Sequence, residues 1–445
     1  MADSSMNNHR QRTLHDLLQP YGGLFAGNHR HDLYKDEPSI ITRCVRLGDM
    51  SQIVEQPFND AEGISLVKSL TTCGTGLTYQ EALVPAIGEG IERYSVSMFS
   101  KEQFIHATAK ELGSQAIDLE AIPRCSEGEL AHPRCPLVAP DREAPRRWVK
   151  GISLMNGNTI CIPAIMVYLY FRPTSQAERI WAQITTGCAA HTSYEQALVN
   201  AILEVIERDA IALTWLQKMP LPKISVDPIP ATLVPYFRAY ETSSASLSYS
   251  LFNATTDLGV PIVYGLQACE TSNVAANLVS CSAAMDPAVA ISKVMRDMVS
   301  FRHAYRGSRQ YPDNWDDFNH VRHGASFMAR KEQSAAFDFL KYSRDTVPLA
   351  SIASIKQRGP REDLQHLLGI LRCHHLEAFA VDLTTDESVR AGMRTVRVII
   401  PGLQPLPYVY RARYLGHPRL YEAPRRMGYL ASPEQNLNHW PQPFS

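Results

Sequence analysis

Residues 79–94 read YQEALVPAIGEGIERY, with apolar Leu83, Ile87, Ile91 and Tyr94 recurring at steps of three and four. At about 100° per residue these positions share one stripe, which predicts an amphipathic helix. The period returns in YEQALVNAILEVIERD, residues 194–209, at Leu198, Ile202 and Ile206. Elsewhere the pattern changes to runs of β-branched and aromatic residues. WVKGISL and TICIPAIMVYLYF predict strands around a turn at Asn156-Gly157-Asn158, and PIVYGLQACE, FAVDL and TVRVIIPGLQPL, the last closed by Pro401-Gly402, predict further buried strands. With at least four helical stretches among them, the fold class is mixed α+β.

The two helices are a repeat. With Tyr79 aligned on Tyr194, an offset of 115 residues, Thr78–Arg93 and Ser193–Arg208 match at 10 of 16 positions. Packing alone would keep the apolar positions, yet the E-x-x-E-R ending is kept too. Glu89 and Glu92 sit opposite the apolar stripe, three residues apart and so neighbours, and Glu204 and Glu207 repeat this. In the second helix Asn200 and Gln196 extend the polar stripe. No lysines interleave these acids, so their mutual repulsion calls for a compensating partner. Four carboxylates facing one another from two helices make a hard-oxygen site suited to Mg²⁺. Arg93 and Arg208 follow directly and can fork onto phosphate oxygens. The combination predicts a nucleoside triphosphate held by metal between helices.

Composition narrows the rest. The chain has 445 residues, 45% hydrophobic and 20% charged, with forty-four basic against forty-five acidic residues. A net charge of −1 argues against non-specific binding to nucleic acid or an anionic membrane. The polar start MADSSMNNHRQR lacks the apolar core of a secretory signal, and no apolar run is long enough to span a bilayer. Nine dispersed cysteines without a C-x-x-C pair then predict a cytoplasmic protein with reduced thiols. Cys125 and Cys135 do not have zinc-module spacing, and His374 and His375 are expected at a helix end or loop. No P-loop, H-E-x-x-H, G-x-S-x-G or complete dinucleotide fingerprint is present. A nucleotide must therefore be held outside the common folds.

The two E-x-x-E-R helices resemble those of the YcaO superfamily, ATP-dependent enzymes that activate backbone amides of peptides. WVKGISLMNGNTICIPAIMVYLYF is similar to its central strand pair, and ILEVIERDAIALTWLQKMPLP to its second ATP helix. AISKVMRDMVSFR resembles a third helix carrying an acid and basic residues, here Lys293, Asp297 and Arg302. VDLTTDES, VRVIIPGLQPL and the ending LNHWPQPFS resemble the azoline-forming branch. The likeness implies one YcaO-like catalytic region over 1–445, with an N-terminal segment 1–70, repeated helices in 71–100 and 184–219, and a proline-containing tail 436–445. It also implies a duplicated strand/loop–helix unit forming a non-P-loop ATP site.

By the same resemblance the enzyme is a cyclodehydratase. A Cys, Ser or Thr side chain of a ribosomal precursor peptide adds to the preceding amide, ATP phosphorylates the oxyanion, and phosphate loss leaves a thiazoline or oxazoline. The cofactors are ATP and Mg²⁺. Glu89, Glu92, Gln196, Glu204, Glu207 and Asp297 are the expected metal ligands. Arg93, Thr192, Arg208, Lys293 and Arg302 join them around ATP, and Pro441, Pro443 and Phe444 are expected to order the active site. The chain departs from the family pattern at Thr75 (usually lysine), Pro85 (usually serine), His191, Thr192 and Gln196, and its tail lacks a final proline. These changes ring the nucleotide while the four acids remain, which reads as a divergent but active enzyme. Thioamide or amidine formation, and a non-catalytic scaffold, are the alternatives. With no segment of winged-helix character, a separate leader-peptide-binding partner protein is expected in an oligomeric complex. An FMN-dependent azoline dehydrogenase is a further expected partner.

Overall fold

The computed structural model describes residues 14–19, 21–31, 37–51, 70–243, 247–305, 311–343 and 345–444. Three sheets and three long helices carry the site. β1 (Phe25–Arg30), β2 (Ile41–Leu47) and β3 (Thr71–Gly76) form an antiparallel three-stranded sheet. A six-stranded sheet runs in the order β4 (Ile105–Ala107), β5 (Arg146–Ser153), β13 (Phe379–Asp382), β14 (Arg394–Ile399), β7 (Cys188–His191), with β6 (Thr159–Pro163) also paired to β5. A five-stranded sheet has the order β11 (Asn277–Ala283), β10 (Ile262–Cys269), β9 (Leu247–Asn253), β8 (Lys223–Ser225), β12 (Thr346–Pro348).

The helices of eight residues or more among the described residues are α1 (Tyr79–Ser95), α2 (Tyr194–Gln217), α3 (Val234–Glu241), α4 (Pro287–Tyr305), α5 (Val321–Met328), α6 (Pro360–Cys373) and α7 (Arg419–Arg426). Apart from Tyr94 at the end of the first, which is half-buried, the predicted stripes are buried: Leu83, Ile87 and Ile91 in α1, and Leu198, Ile202 and Ile206 in α2. Each such side chain stabilises the fold by about 1.5–3 kcal/mol relative to exposure. Beyond Asp209 every residue of α2 is buried, so this end of the helix runs through the core.

The repeat includes the strands. β3 ends at Gly76 and α1 starts at Tyr79; β7 ends at His191 and α2 starts at Tyr194. Thr78 and Ser193 cap the two helices, accepting from the backbone N–H of Glu81 and Gln196. A third unit follows, in which β11 leads into α4 and Asp286 accepts from Ala288 N at 2.9 Å. The eleventh residue of each helix is an acid: Glu89, Glu204 and Asp297. The units close in a ring, with α1 packed on β7, α2 on β11 and α4 on β3.

Two expectations are corrected. TICIPAIMVYLYF is a strand only to Pro163, after which Ala164–Val167 forms a helical turn. All eight residues from Ala164 to Phe171 are buried, and an unbroken apolar run reads the same in either conformation. The thiols are not all reduced: Cys44 and Cys73 form a disulfide. They are directly opposite one another on β2 and β3, a juxtaposition that a separation of 29 residues does not reveal. Cys125, Cys135, Cys161, Cys188, Cys269, Cys281 and Cys373 are free. His374 and His375 end α6, as expected. No helix among the described residues is long and apolar enough to cross a membrane.

Candidate functional site between the repeated helices

The ring of units brings the acids of α1, α2 and α4 to one place. Glu92 accepts a hydrogen bond from Ala190 N of β7 at 2.9 Å, and Glu207 accepts one from Ala283 N of β11 at 3.0 Å. The second acid of each E-x-x-E-R thus grips the end of the next unit's strand. Glu204 accepts from Gly187 N at 3.0 Å. Gly187 has φ +84°, and a Cβ there would lie 2.2 Å from the Val398 carbonyl oxygen, so only glycine fits. The arginines turn back onto their own helices. Arg93 pairs with Glu89 at 3.1 Å, and Arg208 with Glu204 and Glu207 at 3.4 Å each.

Two cavities flank this cluster. One of about 230 Å³ is lined by Asn200, Glu204, Glu207, Cys281, Lys293 and Asp297. The other, about 440 Å³, is lined by Glu89, Arg93, Cys73, Tyr170, His320 and Arg322, among others. Tyr170 and His320 escaped sequence reasoning. Tyr170 has φ +58°, unusual for a bulky residue and invisible in the sequence, and it places the phenol beside Arg93. His320 caps α5 with its ring, accepting from Arg322 N through Nδ1 at 3.2 Å. Burial, then Arg322, His323 and Arg93, push its pKa down to about 3, so the ring is neutral at pH 7.

Five carboxylates face four cations, Arg93, Arg208, Lys293 and, beside Asp297, Arg296, which leaves one negative charge in excess. Like charges about 4 Å apart repel by about 4 kcal/mol at an effective dielectric of about 20. Three of the acids hold their protons more tightly than usual. Burial, with Glu204 and Glu89 adding repulsion, pushes Glu92 well above the usual carboxylate range. Burial pushes Glu207 up to about 7 and Asp297 up to about 6, with Glu204 adding to the first and Glu89 to the second. A divalent cation would offset the excess charge and the proton uptake together and favour the ionised acids. Among the described residues no three of these carboxylates have ligand oxygens within 4.8 Å of one another. That spread suits Mg²⁺ shared with phosphate oxygens better than a closed all-protein cage.

The other predicted residues divide. Gln196 donates to Asn200 Oδ1 at 2.9 Å and so reaches the smaller cavity through a neighbour, whereas Thr192 is exposed in the turn before α2 and lines neither cavity. Arg302 is corrected: it is buried on another face of α4, where its Nε donates to both carboxylate oxygens of Glu37 at 2.8–2.9 Å. Five residues separate it from Asp297, about 140° around the helix, too far to share a face. Pro441, Pro443 and Phe444 are buried in the tail. Phe444 packs edge-on against Tyr264 at 5.2 Å, and Tyr264 pairs across the sheet with Cys281 of the smaller cavity. The tail therefore backs the cavity wall without reaching the acids.

A family model described as YcaO cyclodehydratase, ATP- and Mg²⁺-binding, matches residues 73–404. The chain is 26% identical over 351 residues to an uncharacterized protein of Methanothermobacter thermautotrophicus, covering 74% of this chain and 81% of that one. Its fold is similar to that of a heterocyclase in complex with substrate and cofactor, with a TM-score of 0.81 at 20% identity over 98% of this chain and 57% of that one. The heterocyclase TruD gives 0.65 at 20% identity, over 81% of this chain and 50% of the other. The chain thus spans little more than half the length of these two heterocyclases. YcaO from Methanopyrus kandleri, bound with AMPPCP and Mg²⁺, gives 0.62 at 18% identity, over 89% and 91% of the two chains. The family match covers the acids of all three units, and the donor set fits a metal–triphosphate: the chain belongs to the YcaO family, with ATP and Mg²⁺ as its cofactors.

Proposed function

We propose that the protein is a peptide cyclodehydratase that activates a backbone amide of a ribosomal precursor peptide. The observation that carries the reading is the excess of carboxylates where α1, α2 and α4 meet, beside a cavity of about 440 Å³ open to substrate. Bound Mg-ATP supplies the phosphoryl group that turns the amide oxygen into a leaving group. Glu89, Glu92, Glu204, Glu207 and Asp297 would hold Mg²⁺. Arg93 and Arg208, already held beside the metal ligands by ion pairs, would face the negative charge that develops in phosphoryl transfer. In the larger cavity the neutral His320 accepts a backbone N–H at Nδ1, so its Nε2 carries the proton and can donate to a carbonyl oxygen. Tyr170 offers a second hydroxyl donor on the same wall. Lys293 lines the other cavity and balances Glu207 and Asp297.

Two of the solved structures with this fold are Escherichia coli microcin synthetase McbBCD complexes, one with pro-MccB17 bound. That supports a precursor peptide as substrate and a separate leader-peptide-binding protein as partner. Azoline oxidation by an FMN-dependent dehydrogenase belongs to the same reading, as does a cytoplasmic location.

The test is mass spectrometry of a Cys/Ser/Thr-rich precursor peptide incubated with the protein, its partner proteins and Mg-ATP. Loss of one water per modified residue, absent with Glu204→Gln, is the expected result. A sulfur-for-oxygen mass change would replace it with thioamide formation. An unchanged peptide with no ATP consumed would leave a scaffold.

A further inference from the structure

We propose that His29, His31, Cys44 and Cys73 form a redox-gated site for Zn²⁺ on the wall of the larger cavity. The three-stranded sheet creates it. His29 on β1 is directly opposite Cys44 on β2, and Cys44 is directly opposite Cys73 on β3, which sets a row of three potential ligands across the strands. His31 lies two residues beyond His29, on the same face of an extended chain. Ligand atoms of His29, His31 and Cys44 all lie within 4.8 Å of one another. Among the described residues no other trio of His, Cys, Asp or Glu is so tightly grouped. The His31 ring stacks on His303 of α4 at 5.4 Å with a 10° interplanar angle, which orients it from outside the sheet.

As a disulfide, Cys44 and Cys73 offer no thiolate. A dithiol reductant donates two electrons and two protons to the sulfur–sulfur bond and becomes a disulfide itself. Zn²⁺ then displaces both thiol protons to solvent. Two imidazoles and two thiolates are the tetrahedral N₂S₂ set that Zn²⁺ prefers over Mg²⁺. Access exists on both sides: His29 is exposed, and Cys73 lines the cavity that also holds Glu89 and Arg93. Oxidised or zinc-bound, the pair keeps β2 tied to β3, and hence the cavity wall in place. The reduced, metal-free protein alone lacks that tie.

The full chain, oxidised or reduced with a phosphine that is then removed, is titrated with Co²⁺ as a spectroscopic stand-in for Zn²⁺. The reduced protein should bind one equivalent, with thiolate-to-metal charge-transfer and tetrahedral visible bands that Zn²⁺ abolishes; the oxidised protein should show neither. Cys44→Ser with Cys73→Ser should remove the bands while the other cysteines remain. Cys44 is fully buried, so exposed His29→Ala provides a second variant, expected to weaken binding at least about tenfold. Reduced protein that binds no more Co²⁺ than the double-serine variant overturns the proposal. So does His29→Ala, together with His31→Ala, binding as tightly as the native chain.

Discussion

α2 carries two groups of acid within six residues, one buried and one half-buried, and they behave in opposite ways. Asp209 is fully buried and closed by its partners: Arg419 reaches it through Nε and Nη2 at 2.7–3.2 Å, and Gln404 N donates at 2.8 Å. The same guanidinium binds Asp257 at 2.7–2.9 Å. Glu204 and Glu207, on the other face, share Arg208 at 3.4 Å; Glu204 repels Glu92 of α1, and both line a cavity with Asp297 of α4. The Arg147–Glu178 pair resembles Asp209: three arginine and backbone contacts at 2.7–3.1 Å hold the Glu178 carboxyl below its usual range despite burial. Asp209 and Glu178 are each matched by an arginine and closed by backbone N–H donors. The acids between the repeats are in surplus, and three of them, Glu92, Glu207 and Asp297, are pushed above the usual carboxylate range, which is the state of a site waiting for a cation.

The comparison breaks first at its structural end. Among the described residues, Arg419→Ala leaves Asp209 buried without a counter-charge and Asp257 with only Arg426 at 3.6 Å, and should cost about 3–5 kcal/mol in urea unfolding. A loss below about 1 kcal/mol would mean that closure does not distinguish the two groups. Arg302→Met removes the buried ion pair with Glu37 and should cost about 3 kcal/mol, while leaving Mg-ATP affinity within about threefold. A large loss of nucleotide affinity at unchanged stability would return Arg302 to the nucleotide.

Smaller effects sharpen the functional end. Glu207 and Asp297 keep protons in the folded, metal-free protein up to about pH 7 and 6, above their ordinary values of 4.5 and 3.8. The folded state therefore binds more protons than the unfolded chain in this window. The resulting stability is complete below about pH 4 and is lost as pH rises through 6 and 7, on the order of 1–3 kcal/mol. Glu207→Gln should flatten that slope, as read by unfolding at pH 5 and 7.5 without metal. Glu204→Gln should change stability least, within about 0.5 kcal/mol, because it relieves repulsion. It should nonetheless lower ATP-dependent turnover by about 100-fold or more.

Much of this site was legible in the sequence because its physics is local. A helix shows its faces through spacing, so the E-x-x-E-R repeat disclosed four acids and two arginines. The third unit was harder to see as a copy: α4 keeps an acid at Asp297 but has Ser300 and Phe301 where Glu and Arg stand in α1 and α2. Strand pairing is not local, so the Cys44–Cys73 bridge and the partner of Arg302 stayed hidden. His320 and Tyr170 reach the cavity through a helix cap and an unusual backbone angle, neither of which leaves a periodic trace.

Calorimetric titration of the full chain with AMPPCP in Mg²⁺, comparing the native protein with Glu89→Gln and Glu204→Gln, shows whether the acids between the repeats hold a metal–nucleotide. Binding should depend on Mg²⁺, and each variant should weaken it at least about tenfold while the far-ultraviolet dichroism spectrum is unchanged. Native-like binding in both variants, or equally tight binding without Mg²⁺, would contradict that role for the acids.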